Sequence, residues 1–325
     1  MRESIVSVNG VDLHVVEDGE DTGGSLVVLC HGFPELAWSW RHQIPALAAA
    51  GYHVIAADGR GYGRSSAPEA IEDYDIEHLT DDIMGLVDAF GHERAVIVGH
   101  DWGSMAVWQA ALFHPDRVAG VVGMSVPFVP RGERPPVEAM RFLFGENFFY
   151  MLYFQEPGVA DADLGADPGR MLRRMMVGAG SGSGRVTDPD AAVRMFAPGP
   201  MGFVDRLPEP AGLPDWLSQD ELDHYIGEFE RTGFTGGLNW YRNLDRNWHL
   251  TSAYAGAKVQ PPARFIGGAD DPVLVMMPPA VQEGHLLDDR GTVIIEGAGH
   301  WVQQEKPDEV NASLLEFLGG LEPGW

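Results

Sequence analysis

Of the chain's 325 residues 45% are hydrophobic, enough to bury a large core, and 48 acidic side chains against 22 basic ones leave a formal net charge of -26. Such a surface repels phosphate backbones and anionic lipid, so nucleic acid is excluded as a partner and membrane insertion is not expected. Cys30 is the only cysteine, which rules out an internal disulfide or a thiolate metal cluster and fits a reducing cytoplasm.

The opening "MRESIVSVNGVDLHVVEDG" lacks the basic and long apolar regions of an export signal and reads as a hairpin of "SIVSV" and "VDLHVV". Short apolar strands follow at 25–30, 53–58, 95–100 and 118–126, separated by helical patterns near 40–50, 76–90 and 103–113. This rhythm predicts an α/β fold with a mostly parallel sheet flanked by helices. From 130 to 247 it stops, and the chain turns rich in aromatics, Met, Pro and Gly. Helical stretches "VEAMRFLFGENFFYMLYF" and "SQDELDHYIGEFERTGFTGGLNWYRNL" flank a flexible loop expected at 177–190. Strands resume at 263–271 and 292–300, with helices near 278–287 and 307–319. The expected organisation is a core of 1–129 and 248–325, interrupted after the sixth strand by a helical lid, 130–247.

"GHDWG" (99–103) has the form of a nucleophile elbow, a tight strand-to-helix turn that pushes Asp101 out over the sheet. Asp is also a favoured helix N-cap, so the pentapeptide alone decides nothing. A nucleophilic carboxylate yields an alkyl ester, which then needs a water-activating base and an oxyanion hole. His300 in "EGAGHW" follows the last strand at the required sheet edge. Asp270 and Asp271 end the strand before it, and either could orient the imidazole. "HGFP" places the Phe33 backbone N–H opposite that of Trp102 as an oxyanion pair.

With "HGFPELAWSWRHQIPALAAAGYHVIAADGRGYGRSS", "GHDWG", "YFQEPG", "GGLNWYRN" and "GAGHWVQQEKP" on the page, the sequence resembles the soluble epoxide hydrolases of the α/β-hydrolase fold, over nearly its whole length. The resemblance implies Asp101 as nucleophile, His300 as base and Asp271, through "DPVLV", as orienting acid. It also implies Tyr150 and Tyr241 as epoxide-activating phenols and a cis bond before Pro34. Tyr153 is a nearby rival for Tyr150, and Gly59 departs from the bulkier residue that relatives often carry. No cofactor and no metal are implied. The expected partner is a hydrophobic epoxide met by a monomer or homodimer, with Phe148, Met151 and Trp240 as candidate substrate contacts. The rival readings are a haloalkane dehalogenase with the same Asp, His and acid, in which Trp102 would bind halide, and a non-catalytic ligand receptor.

Overall fold

The computed structural model describes residues 1–19, 23–179, 190–322 and Trp325. Strands β1 (Arg2–Val8) and β2 (Val11–Asp18) form the opening hairpin. Asn9 and Gly10, both at positive φ, make its two-residue turn. β3 (Leu26–Cys30), β4 (His53–Ala57), β5 (Ala95–His100), β6 (Val118–Met124), β7 (Val259–Gly268) and β8 (Leu286–Ile295) complete one eight-stranded sheet, ordered β1-β2-β4-β3-β5-β6-β7-β8. β2 pairs antiparallel with β4, and every pairing from β4 to β8 is parallel. The chain is thus an α/β protein with a mostly parallel sheet.

Helices α1 (Gln43–Ala49), α2 (Ile76–Ala89) and α3 (Trp102–Phe113) connect the first parallel strands. Between β6 and β7 come α4 (Pro136–Phe144), α5 (Tyr150–Tyr153), α6 (Val159–Gly165), α7 (Pro168–Leu172), a π-helical turn (Arg173–Ala179), α8 (Ala191–Phe196), α9 (Phe203–Arg206), α10 (Gln219–Thr232), α11 (Thr235–Arg242) and α12 (Leu244–Leu250). These form a helical lid inserted after the sixth strand. α13 (Pro272–Met276), α14 (Val302–Glu305) and α15 (Pro307–Gly319) complete the chain. Among the described residues no helix is long and apolar enough to cross a membrane.

The near-continuous apolar strands follow from the sheet having a core on each face. On β3, Leu26 and Val28 join the cluster under α2, α3 and the lid, while Val27 and Leu29 face Ile44, Leu314 and Phe317 of α1 and α15. β5 splits the same way, Ala95 and Ile97 to one side and Val96 and Val98 to the other. The C-terminal ends of β3, β5, β7 and β8 therefore share one edge of the sheet, and the lid packs over it.

Some local expectations change. The helical stretch at 137–154 is broken at Gly145, whose φ of 57° leaves the helical region, and it restarts only at Tyr150. The helix expected near 278–287 is a single 3-10 turn, Pro279–Gln282, because consecutive prolines remove two N–H donors and Gly284 sits at φ 76°. β8 starts there instead, at Leu286. Of the loop expected at 177–190, residues 180–189 lie outside the described residues, and Val177 and Gly178 belong to the π-helical turn.

The turn from β5 into α3 sets the tightest packing limit. A Cβ on Gly103 would lie 2.1 Å from the carbonyl oxygen of Cys30, and one on Gly99 would lie 2.1 Å from that of Gly103. Both obstacles are backbone, which no rotamer change can clear. Gly103→Ala should therefore lower stability by roughly 1–3 kcal/mol, as overpacking does. Urea unfolding reads this as a fall in midpoint, and an unchanged midpoint would contradict it.

Candidate active site

At the end of β5 the backbone of Asp101 takes φ 53° and ψ -117°, a conformation that side chains rarely adopt without being forced. The force comes from three sides: α3 must begin at Trp102, Gly103 touches the β3 end, and Gly32 abuts Asp101 so closely that a Cβ there would meet the Asp101 Cβ at 2.4 Å. The Asp101 side chain does not cap α3. Instead its Oδ1 accepts the backbone N–H of Phe33 at 2.8 Å. The Phe33–Pro34 bond is cis, and Trp102 is the first residue of α3, where backbone N–H groups have no acceptor within the helix.

Asp101 Oδ2 lies 3.5 Å from His300 Nε2, and His300 Nδ1 faces both oxygens of Asp271 at 3.1 Å. Asp271 caps α13 through the N–H of Val273 and is 2% exposed, whereas Asp270 points to solvent. The structure thus separates the two acids that sequence left open. Burial would push the Asp271 carboxyl up, but the charge of His300 and its hydrogen bonds hold it below the usual range. Burial would likewise lower the His300 value; the two flanking carboxylates outweigh it and raise the imidazole well above 6.5.

Over these groups lies a cavity of about 320 Å³. Its wall contains Asp101, His300, Tyr150 and Tyr241, with the two phenol rings edge to face at 6.0 Å. Burial and the Asp101 charge raise both phenols far above their ordinary value, so they remain protonated donors. Tyr153 lies elsewhere, donating to Asp163 at 3.2 Å.

Behind the imidazole is a polar layer that sequence reading missed. His100 Nδ1 faces Glu35 Oε2 at 2.6 Å, and its Nε2 faces the backbone oxygen of His300 at 2.6 Å. Burial would raise the Glu35 carboxyl, but the charge of His100 and bonds from His100 and Gly32 bring it down to about 2. Both neighbours of His100 are oxygens, so the ring ties Glu35 to the His300 carbonyl. Glu35 stood in sequence directly after "HGFP", but only its total burial marks it as a paired charge.

The three predicted substrate contacts do not line the Asp101 cavity. Phe148 is half-buried under the Arg206 guanidinium at 3.9 Å, away from the Asp101 cavity; Phe149 lines that cavity instead. Trp240 donates to the backbone oxygen of Arg60 at 3.1 Å and packs where a Cβ on Gly59 would come within 2.9 Å, so the unusual glycine is matched by this indole. Met151 faces a second cavity of about 320 Å³, as does Trp102. Met175, Met195, Phe203 and Leu207 supply the apolar wall instead. They come from lid segments whose inward faces no single sequence period reveals.

Residues 25–307 match the model of the α/β-hydrolase fold family. The chain is 61% identical over 320 residues to Epoxide hydrolase A of Mycobacterium tuberculosis, covering 98% of each protein. It is 38% identical over 328 residues to Epoxide hydrolase 1 of Siraitia grosvenorii, again covering 98% of each. The crystal structure of Epoxide Hydrolase A from Mycobacterium thermoresistibile superposes with a TM-score of 0.94 at 62% identity, covering 99% of both chains.

The two carboxylates around His300 give a direct test by nuclear magnetic resonance of the ring nitrogens. In the free protein the imidazole should stay doubly protonated well above pH 6.5, and Asp271→Asn should move its titration to lower pH, because the carboxylate is the strongest group holding the proton. A titration unmoved by that substitution would contradict the assignment.

Proposed function

The chain belongs to the α/β-hydrolase fold family and, within it, to the epoxide hydrolases; from that premise we propose a covalent route in which Asp101 opens the epoxide and His300 directs water at the resulting ester. The reading rests above all on one cavity wall presenting a carboxylate, an imidazole and two protonated phenols together. Asp101 Oδ2, the oxygen not held by Phe33, attacks an epoxide carbon, and Tyr150 and Tyr241 hydrogen-bond the departing oxygen. One phenol gives that oxygen its proton and becomes a phenolate.

The raised proton affinity of His300 then has a use. While Asp101 is ionised, two anions hold the imidazole protonated. Esterification removes one of them, and the new phenolate takes the proton. The neutral ring accepts a proton from water, which attacks the Asp101 carbonyl, with the developing oxyanion facing the Phe33 and Trp102 N–H groups. Diol leaves, Asp101 is again ionised and His300 again protonated. The proton count closes without any other group.

The apolar wall suits hydrophobic epoxides, and a single free cysteine, Cys30, suits a reducing cytoplasm. The halide-displacing alternative would need the Trp102 indole beside Asp101. That ring instead hydrogen-bonds the Tyr241 side chain and packs edge to face on it at 5.0 Å.

Because ester formation needs no base, His300→Gln should alkylate without turning over. Intact mass after mixing with excess styrene oxide should rise by one substrate, mapped to Asp101. Wild-type enzyme turning over once in ¹⁸O-water should put label into Asp101 and not into the first diol; label in that diol with none in Asp101 would show direct attack of water on the epoxide. Replacing Tyr150 or Tyr241 with Phe should slow alkylation by roughly ten- to a thousandfold, and replacing both should nearly abolish it. An unaffected single-turnover alkylation rate in the double variant would remove the phenols from the reaction.

A further inference from the structure

A buried line of hydrogen bonds runs from lid helix α10 to the back of His300, and one amide is its junction. Arg41 Nε donates to Glu221 Oε1 of α10 at 2.7 Å, and Arg41 Nη1 donates to Gln304 Oε1 at 2.7 Å. The hydroxyl of Tyr225, also on α10, donates to the same Gln304 oxygen at 3.2 Å. Its proton being committed, the Ser39 hydroxyl at 2.8 Å donates to it in turn. At the other end of the amide, Gln304 Nε2 donates to Glu35 Oε1 at 3.0 Å. Glu35 pairs with His100, and His100 holds the His300 carbonyl.

The amide has a fixed direction. Turned over, it would set its NH2 against a guanidinium and its oxygen against a carboxylate. Gln304 is 1% exposed, so water offers no substitute for any of these partners. Gln303 makes the same bond to Glu35 at 2.9 Å, but its backbone oxygen leads to Gln43 within the core and its side chain reaches no lid residue. Removing the Gln304 amide therefore leaves Glu35 a glutamine donor, the Gly32 N–H and His100, so its charge stays paired, while the link to α10 is cut.

We propose that Gln304 is a positioning residue through which the seating of lid helix α10 fixes His300, setting the rate of ester hydrolysis and not of ester formation. It rests on the covalent reading above. Ester formation uses Asp101 and the phenols; only the water step needs the imidazole at a defined angle to the ester carbonyl, and the His300 backbone oxygen is one of the points that sets that angle.

The test is rapid mixing of the full chain with styrene oxide, following adduct growth and decay by quenched intact mass, for wild type, Gln304→Met, Tyr225→Phe and the double variant. Gln304→Met should slow adduct decay roughly tenfold, the factor carried by one hydrogen bond to a charged group, with adduct growth unchanged. In steady state kcat and KM should then fall together and kcat/KM should hold, a split that general loosening of the fold does not produce. Tyr225→Phe should act in the same direction to a smaller extent and add nothing in the Gln304→Met background, since its hydroxyl works through that amide. Equal slowing of growth and decay, no slowing of either, or effects that multiply in the double variant would overturn the proposal while leaving the covalent reading intact. Absence of adduct even in His300→Gln would overturn the covalent reading and this proposal with it.

Discussion

The carboxylate of Asp101 stands over the sheet because three chain segments meet where no side chain fits. Gly99 and Gly103 leave backbone against backbone, Gly32 leaves room for the Asp101 side chain itself, and that side chain projects into the space above β5. Its positive φ is a cost of order 1–3 kcal/mol that the surrounding packing over-determines. Everything else in the site is arranged relative to that point. The Phe33 N–H reaches one carboxylate oxygen because Gly32 is pressed against Asp101, and His300 reaches the other because β8 ends on the same edge as β5.

Electrostatically the site is a balance of buried anions and imidazoles. Asp101, Asp271 and Glu35 face His300 and His100, while His31, which accepts the N–H of Gly59 on Nε2 and donates from Nδ1 to the Gly32 oxygen, is neutral and held so by burial. An unpaired charge at such depth costs several kcal/mol, so each of these three acids needs its imidazole. The pairs are not equivalent. Glu35 and His100 do not line the cavity, whereas Asp101 and His300 do, and chemistry there changes their partners.

Much of the core was readable in sequence because its signals are local. An apolar strand buried on both faces, a Gly-flanked elbow and a Gly-rich lead into His300 each fit within ten residues. Asp271 could not be told from Asp270 by pattern, since the distinction is one of facing: the first caps α13 and turns inward, the second turns out. The lid was harder. Its helices are short and aromatic on several sides, so Phe148 and Phe149 look alike in sequence although only Phe149 lines the Asp101 cavity. Glu35, His100 and Gln304 were invisible as a unit, because partners far apart in the chain meet only once the fold exists.

The wall between the two cavities is built from consecutive residues that look opposite ways: Asp101 and Trp102, Tyr150 and Met151, Met276 and Met277. Along α5 neighbouring side chains are about 100° apart, so adding or removing one residue in the short link after Gly145 would rotate the helix by that angle and exchange a phenol for a thioether. The lid could still close over an intact core, yet the proton donor would be in the wrong room. Length in this link is thus coupled to chemistry, and the freedom for insertions that surface connections ordinarily enjoy does not extend to it.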